Sequence, residues 1–171
     1  MEFKSCFDII GPIMVGPSSS HTAGVVSIGK FVYDLIGDVP DRAEITFYDS
    51  FAETYQGHGT DKAIVGGLLG METDDIRIRH SLNHAKHNQV EIIFHLKGTC
   101  TYYDHPNTVV IQAEKNGETI TVGGVSLGGG LSKIFLIDDK KVDILLNTPY
   151  DLEKLRSYRR TSSTYIPLVG S

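Results

Sequence analysis

Ser18, Ser19, Ser20, His21 and Thr22 follow one another between Gly16-Pro17 and Ala23-Gly24. Five hydrogen-bonding side chains in a row are poor packing material, and an apolar helical period begins just after them. A helix start carries backbone N–H groups without intrahelical partners, at the positive end of the helix dipole. Hydroxyls placed there can hold a small anion such as a carboxylate. An imidazole among them can donate a hydrogen bond or move a proton near neutral pH. The plain alternative is an N-cap with the other groups solvated. Capping accounts for one serine and leaves two more, His21 and Thr22 unexplained.

A second constellation is Gly57-His58-Gly59-Thr60-Asp61. Glycines on both sides of a histidine expose its ring and allow close approach. Thr60 or Asp61 is expected to cap the helix that follows. Alone, the segment also fits a glycine-rich turn with a solvent-facing histidine. Two histidine-bearing helix starts in one small domain point to a shared site.

The other candidates say less. His80, His84 and His87 sit at i, i+4 and i+7. That spacing can bind zinc, but no acid or cysteine completes a ligand pattern, so a solvated face is expected. His95 falls in a strand and reads as structural. His105-Pro106-Asn107-Thr108 precedes a strand as a turn. Gly123-Gly124 and Gly128-Gly129-Gly130 read as linking strands. They have no Lys-Ser or Lys-Thr pair and open no helix, so no nucleotide loop is expected. They suit a small ligand lying against the backbone.

The elements that must carry these residues are legible in outline. Residues 2–9 can form a turn or two of helix before Gly11-Pro12. Val25, Ile28, Val32, Leu35 and Ile36 keep helical spacing up to Gly37, a C-terminal stop. Gly24 and Gly29 weaken that helix and imply that it lies close against something. Residues 43–48 alternate as a strand with Ile45 and Phe47 on one face; a second helix runs to Leu69; residues 74–86 suggest a third. Val90, Ile92, Phe94 and Leu96 alternate again. Residues 108–114 and 118–123 flank Asn116-Gly117, a two-residue hairpin signal, and 133–137 and 142–146 flank Asp138 to Lys141. Helices in the first half and antiparallel strands in the second predict an α+β fold, with helices on one face of a mainly antiparallel sheet. Residues 1–147 form the domain; 148–171 read as a polar tail or linker without an apolar period.

Composition closes off several classes. The chain has 171 residues, 40% hydrophobic and 22% charged, with a formal net charge of -5 and no basic block, so nucleic acid is not an expected partner. No apolar run approaches a membrane span, and the first residues do not read as a secretory signal. Two cysteines, Cys6 and Cys100, make no disulfide framework and suit a reducing cytoplasm. They are too few to hold an iron–sulfur cluster by themselves.

The run from Ile10 to Gly24 strongly resembles the start of the β domain of iron–sulfur L-serine dehydratases. Gly57 to Ala63, then Gly66-Gly67-Leu68-Leu69-Gly70, resembles the second block of that family. His105-Pro106-Asn107-Thr108-Val109 and the glycines from Gly123 to Gly130 resemble its later blocks, and the likeness covers roughly residues 3–147. It implies a β subunit of an enzyme that converts L-serine to pyruvate and ammonia, in serine catabolism and gluconeogenesis. It implies a 4Fe-4S cluster whose cysteines lie on an α subunit, no metal ligand in this chain, and no pyridoxal phosphate. An iron with an open position would act as Lewis acid on the serine hydroxyl.

In this reading His21 and His58 orient substrate or move protons. Ser18, Ser19, Ser20, Thr22, Gly59, Thr60 and Asp61 hold it. The resemblance extends to the allosteric substrate-binding domain of some D-3-phosphoglycerate dehydrogenases. That implies an effector site for serine around His105, Asn107, Gly128 and Gly129, and the alternative of a regulatory and dimerisation module without catalytic residues. A homodimer of β or an α–β heterotetramer in the cytoplasm is expected. Some family members carry an ACT domain after the β domain; the stretch after Asn147 is too short for one.

Overall fold

The computed structural model describes residues 19–56, 59–101, 103, 105–146 and 149–157. The helical turn expected in residues 2–9 lies outside them. Along the chain run α1 (Ser19–Ile36), β1 (Arg42–Tyr48), α2 (Asp49–Thr54), α3 (Thr60–Leu68), a 3-10 turn (Ile76–His80), α4 (Ser81–His87), β2 (Glu91–Lys97), β3 (Thr108–Lys115), β4 (Glu118–Gly128), β5 (Leu131–Ile137), β6 (Lys140–Leu145) and α5 (Leu152–Arg156). The strands form one six-stranded sheet in the order β2-β1-β3-β4-β5-β6. β1 and β2 are parallel, a pairing that needs the long helical crossover between them. The other four pairings are antiparallel. The α+β class and the mainly antiparallel sheet are as the sequence predicts.

Alternation builds the core. Ala43, Ile45 and Phe47 on β1 lie opposite Ala113, Ile111 and Val109 on β3, and Ile111 lies opposite Val122 on β4. All are buried. α1 supplies the covering layer with Val25, Ile28, Phe31, Val32 and Leu35, each 0% exposed. Burying one such side chain contributes roughly 1.5–3 kcal/mol. Gly37 ends α1 at φ +90, a conformation that favours glycine.

Two glycines let α3 reach α1. A Cβ at Gly67 would collide with the Val26 carbonyl oxygen and lie 2.7 Å from the Lys30 nitrogen; one at Gly29 would lie 2.9 Å from the Leu68 nitrogen. The two backbones therefore touch with no side chain between them. Gly29 explains itself as the close approach expected from the sequence. Gly67 is its partner across the contact.

Some expectations need correction. The single helix expected over 74–86 is a 3-10 turn followed by α4, since the Asp75 carboxylate accepts the Arg77 N–H and starts the tight turn. Gly123 and Gly124 do not link strands; they lie inside β4. They are packed, too: a Cβ at Gly123 would lie 2.6 Å from the Phe135 ring and one at Gly124 2.9 Å from Ile28. The polar stretch after 148 also contributes to packing. Tyr150 sets its ring edge-on to Phe31 at 5.1 Å and donates a hydrogen bond to Asp34. Leu155 is buried, and Arg156 donates to the Asp34 and Leu35 carbonyls at the end of α1. A cation there satisfies carbonyls that the helix leaves open.

Replacing Gly67 by alanine is expected to lower stability by about 3 kcal/mol, because backbone rather than a flexible side chain stands in the way. Urea unfolding of the full chain checks this as a lower midpoint with an unchanged slope.

Candidate functional site

The pairing register places the motifs at one end of the sheet. Tyr48 of β1 lies beside Lys97 of β2, Thr108 of β3 beside Val125 of β4, and Ser126 beside Ser132 of β5. That end therefore holds the last residues of β1, β2 and β4 and the first of β3 and β5. α1 runs antiparallel to β4. A Cβ at Gly24 would lie 3.0 Å from the Ser126 Oγ, while Ile28, one turn on, covers Gly124. The start of α1 thus faces the same end.

The helix begins inside the serine run, at Ser19. Ser19, Ser20 and His21 form its first turn in place of a preceding loop; Ser18 lies outside the described residues. Thr22 is 1% exposed, so its hydroxyl packs inward. Beyond it, Gly24 meets the Leu131 carbonyl oxygen and Ser132 as well as Ser126. The Ser132 hydroxyl is buried and has no hydrogen-bond partner among the described residues.

The second constellation reaches the same end through Tyr55. The Thr60 and Asp61 N–H groups both donate to the Tyr55 carbonyl. The Tyr55 ring packs on Phe47 at 5.5 Å and on Phe94 at 5.7 Å. Gly57 and His58 lie outside the described residues. Gly59 takes the N-cap position at φ 72 without a side-chain cap, where Thr60 or Asp61 was expected. A left-handed residue there suits glycine, and the Tyr55 carbonyl takes the place of a capping oxygen. Thr60 is 1% exposed. Asp61 is also buried, and burial pushes its carboxyl above the usual carboxylate range, opposed by the hydrogen bond from the Lys62 N–H at 2.8 Å.

A third group joins them. His105 accepts the Asn107 N–H at Nδ1, 3.0 Å away, so its ring proton is on Nε2. Its carbonyl accepts from the Thr108 hydroxyl at 2.6 Å. The Asn107 carbonyl in turn accepts the Ser126 N–H at 3.0 Å. Ser126 therefore links the His105–Asn107 turn to the start of α1. Gly128, Gly129 and Gly130 follow at φ +88, +63 and +79, and no described residue would lie within 4 Å of a Cβ at Gly128 or Gly129. The described start of α1, at Gly24, and the turn expected for an effector thus meet at Ser126. Ser126 and Ser132 were not legible as part of this junction; their only signal was a hydroxyl on the inward side of an otherwise apolar strand.

The remaining histidines stay apart. His80 and His84 line a shallow surface pocket with Ile76, Arg77 and Arg79. His95 is on the outer sheet face, 3.0 Å from Glu44; that hydrogen bond and the charge of Arg42 hold the Glu44 carboxyl below its usual range. Among the described residues no three His, Cys, Asp or Glu groups form a cluster able to hold a metal. Nor is any described helix long and apolar enough to cross a membrane.

The family model of the serine dehydratase beta chain matches residues 5–134, across both helix starts and the His105 to Gly130 corner. The chain belongs to the serine dehydratase beta chain family. A probable L-serine dehydratase beta chain of Bacillus subtilis is 42% identical over 149 residues, covering 87% of this chain and 67% of that protein. The L-serine dehydratase beta chain of Peptoniphilus asaccharolyticus is 44% identical over 139 residues, covering 81% and 62%. L-serine dehydratase 1 of Escherichia coli is 42% identical over 79 residues, only 17% of its length. This family member thus spans about two thirds of the length of the two beta chains.

Asp61 gives a signed pH dependence. Its pKa is raised in the folded state, so the folded chain holds this proton more tightly than the unfolded one. Stability then falls as pH rises from the ordinary carboxylate value through the folded one. Asp61→Asn, which keeps the acceptor for Lys62, is expected to unfold at higher urea than the parent at pH 7. The difference should close below about pH 4. Urea midpoints of both proteins at several pH values measure it.

Proposed function

We propose that this chain is the β subunit of a two-chain enzyme that deaminates L-serine to pyruvate and ammonia. The observation that carries the reading is the family match over residues 5–134, which spans both histidine-bearing segments. L-serine loses its Cα proton and its β-hydroxyl, as water. The resulting enamine tautomerises to an imine, which takes up water and releases ammonia. In this proposal the α1 start and the hydroxyls of Ser18, Ser19 and Ser20 hold the substrate carboxylate. His21 and His58 orient the substrate or carry protons. Thr22 and Thr60, being buried, secure the two helix starts. Gly59 gives close access to the backbone, and Asp61 holds its loop.

The 4Fe-4S cluster belongs to the proposal as a group of the α subunit. Two cysteines, with Cys100 buried, do not make a cluster site on this chain. Assembly as a β homodimer or α–β heterotetramer in the cytoplasm, serine catabolism feeding gluconeogenesis, and kinship with the allosteric substrate-binding domain of D-3-phosphoglycerate dehydrogenases are parts of the same reading. So is the division into a domain of residues 1–147 and a tail, with Tyr150 and Leu155 of that tail packed on the domain.

Co-expression with the α partner and an anaerobic assay of pyruvate from L-serine, with and without iron, is the test. A complex with iron-dependent turnover is expected; no complex and no turnover sinks the reading. In that complex His58→Ala is expected to lower turnover at saturating serine by about 10²-fold or more. Unchanged turnover removes any chemical role for His58.

A second reading has its own observation. The open backbone at Gly128 and Gly129 beside the His105–Asn107 turn suits an effector, making this chain a regulatory serine-binding module. On that reading the isolated chain binds L-serine, keeps binding without His21 and His58, and loses it in Asn107→Ala. Calorimetry on the three variants separates the two.

A further inference from the structure

Among the described residues β2 is an edge strand of seven residues, Glu-Ile-Ile-Phe-His-Leu-Lys, with no proline and with Leu96 50% exposed. Such an edge is a template for another strand. The sequence is its own complement. Paired antiparallel with a second copy about a two-fold axis at Phe94, Glu91 meets Lys97, Ile92 meets Leu96, Ile93 meets His95, and Phe94 meets itself. Directly opposed residues share a face. The Glu91–Lys97 pairs fall on the outer face with Arg42 and Glu44; Ile92, Phe94 and Leu96 fall on the helix side with Ala43, Ile45 and Phe47. A slip of one residue sets Glu91 opposite Leu96 or Lys97 opposite Ile92. The other edge strand, β6, lacks this property: each register centred on it puts a lysine opposite Leu145 or Ile144. We infer that the β2 edge is a two-fold interface with a second copy of this chain, joining two six-stranded sheets into one.

Because directly facing like charges destabilise a strand pair, a charge swap tests it. Lys97→Glu sets Glu against Glu91 twice per dimer. Sedimentation equilibrium of the full chain should show a dimer whose Kd rises about tenfold in K97E. The double variant E91K/K97E should return to within about threefold of the parent. Both positions are exposed, and thermal unfolding run alongside confirms folding, Glu91 also being bound to Arg42. A chain that is monomeric throughout, a dimer indifferent to K97E, or a loss that the swap fails to restore would overturn the inference.

Discussion

The contact of α1 with α3 through Gly29 and Gly67 is the constraint on which the rest depends. Backbone lies on backbone there, so the separation of the two helices is set by main-chain atoms. That closeness fixes where both helix starts lie relative to the sheet, and each starts in a segment rich in groups able to do chemistry. Larger residues at the crossing would push α3 off α1 and separate those groups, without touching one of them.

The sheet does the corresponding work from below. Parallel pairing of β1 with β2 and antiparallel pairing elsewhere put the last residues of β1 beside the first of β3 and the last of β4. Segments distant in the chain therefore emerge together. Ser126 is the meeting point, held by Asn107 through its backbone and set under Gly24 through its side chain. A buried serine there keeps the strands close without a bulky side chain.

Much of this was legible where the signal is local. The period from Val25 to Ile36 marks α1, and Asn116-Gly117 marks a hairpin because both residues take positive φ. α2 was not legible: six residues are too few for a period, and it opens at Asp49, at φ 48. The cap at Gly59 was misplaced because a backbone carbonyl, invisible to residue type, replaced a side chain. Docking of Tyr150 and Leu155 depends on a groove made by α1, more than a hundred residues earlier. The site split the same way. Each motif could be read separately, but the strand order that sets the His105–Asn107 turn beside the start of α1 is a non-local property.

α1 gains a mechanical character from where it is held. It spans 18 residues, roughly 27 Å, without a proline. Its side-chain-free crossing lies near the middle, at Gly29; its far end is tied to Arg156 and its near end abuts the β4–β5 turn. Held at its middle, along its sheet-facing side and at both ends, the rod is one rigid strut: the grip of Tyr150 and Arg156 at one end and the setting of its first turn at the other belong to a single body.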